Sequence, residues 1–348
     1  MKKLILLLML MPLVLVASAQ TNPLQAKVDE RVEFVTVICK ISGLIDNRTS
    51  QYKPYTDEVM EYFLPYSDLV SFLMLSGRIE NNIDYQTMID FAMSSSIENG
   101  KITFKQYHSD SQSESVYYQE LFSSLELIYE RSSFATFFES HADLYKEVED
   151  LYNTSVISKL QIDVLQDICG DSFSNTKIYI NLLGGISYNS YIRGKNSVLL
   201  GGFITRSANI NNKDVRLGRF FPSNDIYTLV NAISDITLAP DLNKFKLQCA
   251  KQSSYYYKSA FYLFDKAGYI DDDVFIAQIS KLATLLYAEK TDKSKLPELI
   301  KQDKAFGFIW QNEFWESLAE FKDNRSKYPS FVDYMPVYLN AYKSLLRY

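Results

Sequence analysis

Histidine is almost absent from this 348-residue chain, occurring only as His108 and His141. That supply excludes a Ser/His/Asp triad and any histidine-rich metal site as the natural first reading. Cysteine is nearly as rare. Cys39, Cys169 and Cys249 are too few for a disulfide framework and too scattered for a zinc knuckle. One bridge among them stays open, but each has apolar neighbours at helical spacing, which favours buried thiols. Apolar runs long enough to span a bilayer are lacking too. The one strongly apolar stretch, Leu4 to Val16, is shorter than the roughly 20 residues a span requires.

That stretch is led by Lys2 and Lys3 and followed by Ala17-Ser18-Ala19, the small-x-small pattern of a signal-peptidase site. Residues 1–19 are therefore expected to be a signal peptide cut near Ala19, leaving a secreted or periplasmic protein that begins at Gln20. No cysteine stands at the cut, so no lipoprotein anchor is expected. Taking Lys2 and Lys3 from the 36 basic residues leaves 34 against 42 acids, a formal charge of -8. Such a surface is a poor partner for nucleic acid. The chain is long enough for one large domain or two intimate ones.

Helical patterns dominate. They are expected over 28–42, ending at Gly43; over 57–63, stopped by Pro65; from Ser67 to Gly77; and after a cap at Asp84. Ser94 to Ser115 reads as a loop or hairpin excursion. Further helices are expected over 116–131, 133–153 and 160–169, the last closing against Gly170. Lys177 to Leu183 and Ser197 to Thr205 are β-rich. Helices return at about 225–237, 254–267 with Gly268 as cap, 271–289, 296–305, 311–323 and 331–346. The fold class expected is α+β, predominantly α-helical, with a small central antiparallel or mixed sheet. A division into 20–170 and 171–348 is drawn, the two regions packed as one unit.

Several local features have plain structural explanations. Asp271-Asp272-Asp273 suits a helix start, where negative charge favours the macrodipole. Gly184-Gly185 and Gly201-Gly202 lack the phosphate-loop spacing and read as turns or bulges. His141 reads as a packing or surface residue. The chain carries 26 tyrosines and 22 phenylalanines; in Tyr255-Tyr256-Tyr257 not all three rings can face a core, so some exposure is expected even if most pack between helices. The tripeptides at Asn47, Asn153 and Asn324 fit the glycosylation pattern, a short motif that matches often by chance.

A set of short motifs adds a family resemblance. Arg31-Val32-Glu33, Glu61-Tyr62-Phe63 with Pro65-Tyr66, and Phe134 to Phe138 before His141 are followed by Gly307-Phe308-Ile309-Trp310, Asn324-Arg325, Tyr328-Pro329-Ser330-Phe331 and Met335-Pro336. In this order they resemble a family of secreted bacterial proteins known as a domain of unknown function. Its typical members resemble gluzincin-type zinc peptidases, with H-E-F-x-H and a downstream N-E. The resemblance implies a zincin-like core and aligns Leu229-Val230-Asn231-Ala232-Ile233-Ser234-Asp235 with the motif. Asn231 then takes the first histidine position, Ala232 the glutamate, Asp235 the second histidine, and Ala277-Gln278 the N-E pair.

Intact, such a motif places two imidazoles one helical turn apart on zinc, while the glutamate takes a proton from the bound water. An amide is a weak ligand for zinc, and alanine accepts no proton; losing a general base alone costs about 10²- to 10⁴-fold in rate. The resemblance therefore implies a pseudoenzyme with no catalytic residues, metal or cofactor. Asn231, Ala232, Asp235 and Gln278 would be vestigial positions, in a cleft that holds a peptide, glycan or protein partner. The alternatives are an active hydrolase with a displaced site, a hard cation such as calcium on Asp235, Asn231 and Gln278, and unrelated polar residues on solvated helix faces.

Overall fold

The computed structural model describes residues 24–45, 53–71, 83–105, 112–170, 176–183, 189–193, 196–202 and 225–347. The expected signal peptide, His108, Asn47 and Gly184-Gly185 lie outside the described residues, as does the end of the helix expected to reach Gly77.

The chain is predominantly helical, and its buried side chains form one continuous cluster from Leu24 to Leu346. Helix α1 (Glu30–Ile41) begins at Asp29, whose carboxylate accepts from the Arg31 amide. It is buried from Val32 to Lys40 on every face, not along one stripe. Its polar residues survive there through specific partners: Thr36 Oγ1 donates to the Val32 carbonyl, and Glu33 accepts from Tyr55 on α2 (Lys53–Phe63). Helix α3 (Tyr85–Ser94) is capped by Asp84. The polar excursion after it opens as a hairpin, β2 (Ser96–Glu98) with β3 (Lys101–Thr103), turning through Asn99 and Gly100 at φ 52° and 71°.

Helix α4 (Gln112–Arg131) starts earlier than its apolar periodicity suggests. The single helix expected over 133–153 is two, α5 (Phe134–Ser140) and α6 (Ala142–Ser155), broken at His141. There Nδ1 of His141 bonds the Phe137 carbonyl at 2.8 Å while Nε2 lies 3.2 Å from Glu58. Helix α7 (Ile162–Cys169) ends at Gly170, φ 81°.

The sheet is mixed and four-stranded, in the order β1-β4-β6-β5. β4 (Lys177–Asn181) and β6 (Asn196–Gly202) match the two β-rich runs; β1 (Ala26–Lys27) and β5 (Asn189–Arg193) were not expected. β1 and β6 run parallel to β4, and β5 is the antiparallel edge beside β6. Gly201 and Gly202 lie in the β6 ladder, opposite Ile180 and Asn181.

After the sheet comes the longest element, α8 (Asp225–Ser259). It continues through Pro240, where the sequence pattern suggested a stop near 237. Tertiary burial overrides the local signal: Leu229, Val230, Ile233, Ile236, Leu242, Cys249 and Tyr256 are all fully buried at helical spacing. Helix α9 (Phe261–Lys266) is a separate short piece, followed by Gly268 at φ 80°. Helix α10 (Val274–Thr291) makes the most extensive helix pairing in the fold, with α8. Asp271–Asp273 forms a 3₁₀ turn before it, so the three acids stand at a helix start as expected, but Asp273 makes no side-chain cap hydrogen bond.

Four helices finish the chain: α11 (Leu296–Ala305), α12 (Gln311–Glu316), α13 (Ala319–Asp323) and α14 (Phe331–Leu345). The expected 311–323 helix is thus interrupted. Helix α14 opens with a reciprocal capping box between Ser330 and Asp333. All three cysteines are buried free thiols.

Candidate functional site

Helices α8 and α10 face each other across two adjoining cavities. On α8 the facing residues are Thr228, Asn231, Ala232, Asp235, Ala239 and Asn243; opposite them are Asp273, in the turn that leads into α10, and Ile276, Ala277, Lys281 and Thr284 on α10 itself. Both sets recur at three and four residues, as one face of a helix must. The larger cavity, about 450 Å³, lies over Asn231, Ala232, Asp235, Asp273 and Ala277. The smaller, about 270 Å³, lies over Thr228, Asn231, Lys281, Asp303 and Phe306. Asn231 and Tyr269 line both.

Three of the four positions singled out in the sequence are therefore neighbours. Asn231, Ala232 and Asp235 share the larger cavity, and Oδ1 of Asp235 accepts from Ser280 Oγ on α10 at 3.1 Å. Gln278 is not with them. It is fully buried, one residue round the helix from Ala277, and faces Tyr256 and Gln311. A calcium site on Asp235, Asn231 and Gln278 is not assembled by this arrangement.

Gln278 belongs to a one-directional chain of hydrogen bonds. The Tyr256 hydroxyl donates to Gln278 Oε1 at 3.1 Å, Gln278 Nε2 to Gln311 Oε1 at 2.5 Å, and Gln311 Nε2 to Asp303 Oδ2 at 2.9 Å. The chain ends on a carboxylate, whose Oδ1 lies 3.3 Å from Lys281 Nζ. Burial opposes the Lys281 charge, but Asp303, Tyr269 and Asp235 outweigh it and hold the ammonium above its ordinary pKa. Burial pushes the Asp303 carboxyl up against the pull of Lys281 and Gln311. Lys281 also lies over the Phe306 ring, 5.4 Å from its centre.

Neither Lys281 nor Asp303 was singled out in the sequence. The available signal was a lone charged residue in the otherwise uncharged Ile279–Leu286 stretch, which requires a partner once buried. Nothing local identifies Asp303 as that partner.

Zinc does not fit the larger cavity. Its wall offers an amide, a methyl group and carboxylates where a zinc site needs three nitrogen, sulfur or carboxylate ligands converging. Among the described residues no group of three His, Cys, Asp or Glu side chains could hold a metal ion. Asp273 is drawn above its ordinary pKa, chiefly by burial and against the pull of Lys246.

The motifs that carry the family resemblance build packing instead of this cleft. Gly307 packs on Phe264, Phe308 is fully buried, and Trp310 lies 5.0 Å from the Tyr256 ring. Arg325 bonds the Tyr328 and Pro329 carbonyls and the Asp167 carboxylate. Of the tyrosine triplet, Tyr256 is fully buried, while the half-buried Tyr255 and Tyr257 stack on Trp310 and Phe264. Compared with family models, curated proteins and solved structures, the chain matches none. No described helix is long and apolar enough to cross a membrane.

Proposed function

We propose that this chain is a secreted, non-catalytic protein on a zincin-like scaffold, which uses the cleft between α8 and α10 to hold a peptide, glycan or protein segment. The reading is carried by one observation: Asn231, Ala232 and Asp235 line a single cavity walled by a second helix, and no imidazole is among them. The order of elements is consistent with it. A mixed sheet with an antiparallel edge strand precedes the helix that bears these residues, and the facing helix follows.

The chemistry left in the cleft suits binding. Ala232 accepts no proton, and Lys281 is held as a charged ammonium, so it is no base at neutral pH. A histidine base is not at hand either, since His141 is engaged by the Phe137 carbonyl and Glu58. The test is incubation of the purified mature protein with casein and added zinc, alongside elemental analysis of protein prepared without chelator. No cleavage and no stoichiometric zinc are expected. Zinc-dependent proteolysis that survives further purification would overturn the reading.

A further inference from the structure

The acids around the two cavities have counter-charges. Asp235 acts on Lys281, and Asp273 is pulled by Lys246. In the smaller cavity Lys281 is matched by Asp303 at 3.3 Å, and the two phenols in the wall, Tyr227 and Tyr269, are raised by burial and stay neutral. Neither cavity therefore calls for an ion. What is unmet is one donor: the amide nitrogen of Asn231, which lines both cavities, is buried and has no hydrogen-bond partner among the described residues.

A buried donor without an acceptor costs stability unless a ligand completes it. An uncharged carbonyl oxygen is the fitting acceptor, because a carboxylate would meet Asp303 and Asp235 as well as Lys281. The rest of the smaller cavity adds two demands. Lys281 and Asp303 side by side offer a donor and an acceptor, which suits hydroxyl groups, since these both give and take hydrogen bonds; Lys281 and Gln311 leave the Asp303 carboxylate with further lone pairs. Phe306, 46% exposed, and Tyr269 add aromatic rings on which a C–H face can lie. No lining residue belongs to a strand, so no unpaired strand edge stands ready to hold a peptide by its main chain. We propose that the smaller cavity binds an N-acetylated amino sugar, with the acetyl carbonyl on the Asn231 amide nitrogen, ring hydroxyls on Lys281 and Asp303, and the C–H face of the ring against Phe306. This rests on reading the cleft as a binding site and selects, within that reading, a glycan over a peptide. A volume of about 270 Å³ stands near the lower end of small-ligand sites, about 300 Å³, which is room for one sugar unit. The hydrogen-bond chain from Tyr256 has a role in the same scheme. It fixes Asp303, and Asp303 fixes Lys281, so the pair is positioned before the ligand arrives.

Titration calorimetry on the full purified chain tests this with three probes: N,N′-diacetylchitobiose, cellobiose, which has hydroxyls in place of the acetamido groups, and N-acetyl-trialanine methylamide, which has amides without a sugar. Diacetylchitobiose is expected to bind about tenfold more tightly than either of the others, the worth of one completed hydrogen bond. Asn231→Leu, close in shape but without the N–H, should weaken diacetylchitobiose about tenfold and leave cellobiose unchanged. Its unfolding midpoint should not fall, because the amide nitrogen gives up no partner in the protein. Phe306→Ala, at an exposed position, should weaken the disaccharide about threefold. Equal binding of cellobiose, peptide binding as tight as that of the disaccharide, or no binding of any probe overturns the proposal. Unchanged disaccharide binding in Asn231→Leu overturns it as well; should that variant fold poorly, unchanged binding in Phe306→Ala does so alone. A cleft that ignores the acetylated sugar leaves the non-catalytic reading intact, whereas casein cleavage would sink that reading and leave a measured sugar affinity standing.

Discussion

The hydroxyl of Tyr55 donates to Oε1 of Glu33 across 2.7 Å, inside a core where Glu33 is wholly buried. The same hydroxyl pairs with that of Tyr145 at 2.7 Å, and Oε2 of Glu33 has no hydrogen-bond partner among the described residues. One carboxylate oxygen is satisfied and the other is not. The carboxyl is pushed by burial up to about 7, with the Tyr55 bond working against the shift.

A pH dependence of known sign follows. The folded protein holds the Glu33 proton up to about pH 7, whereas the unfolded chain releases it near 4.5. Stability is therefore greatest below 4.5 from this group, falls as pH rises towards 7, and levels off above. Integrated over that window the loss is on the order of 3 kcal/mol. Glu33→Gln keeps the Tyr55 bond and removes the ionisation, so urea unfolding at pH 5 and pH 8 should show a smaller difference in the variant. An unchanged pH dependence would place the titrating group elsewhere.

Gln311 is the centre of the chain that positions Lys281. It accepts from Gln278 and donates to Asp303, and it is fully buried. Replacing it with alanine strands a buried amide and a carboxylate oxygen at once. The expected cost is about 2–6 kcal/mol in chemical denaturation, since each of the two unsatisfied groups costs about 1–3 kcal/mol. Gln302→Ala on the partly exposed neighbouring surface should stay within about 0.5 kcal/mol.

Gly307 has φ 110°, and a methyl group there would sit 2.7 Å from Cδ1 of Phe264. Phe264 is itself fully buried against Tyr256 and Phe308, so it has no room to yield. Gly307→Ala should cost about 2–4 kcal/mol through backbone strain and overpacking together. A thermal midpoint equal to the parent's would show that the Phe264 ring can move.

What the sequence made legible was local. Asp84 as a cap, Gly170 and Gly268 as helix ends, buried cysteines and the limits of α11 and α14 all follow from residues within a turn of each other. The rest depended on distant partners. Ala26 pairs with Ile178 in a parallel ladder, and no local pattern in two residues announces that. The helix expected to end near 237 instead runs on, and burial on both sides carries α8 through Pro240. The candidate site was legible on α8, where Asn231, Ala232 and Asp235 share a face by simple periodicity. It was not legible on α10, whose apolar residues surround the helix and leave its orientation undetermined by sequence.

That difference between the two helices yields the sharpest test of the scaffold. Ala277 lines the cavity opposite Asn231 and Asp235, while Gln278 is committed to Tyr256 and Gln311. If α8 and α10 retain a zinc-binding geometry, histidines at 231 and 235 need their third ligand at 277. The variant N231H/D235H/A277E should then bind zinc on the order of 100-fold more tightly than N231H/D235H/Q278E, because the first presents three ligands and the second two. The second should also be the less stable protein, since a carboxylate at 278 lies buried beside Gln311 and Asp303. Competition against a zinc indicator reads the affinities directly. Equal affinities in the two variants would mean that the facing stripes do not preserve a metal site's geometry, and the zincin-like reading of the pair of helices would fall with them.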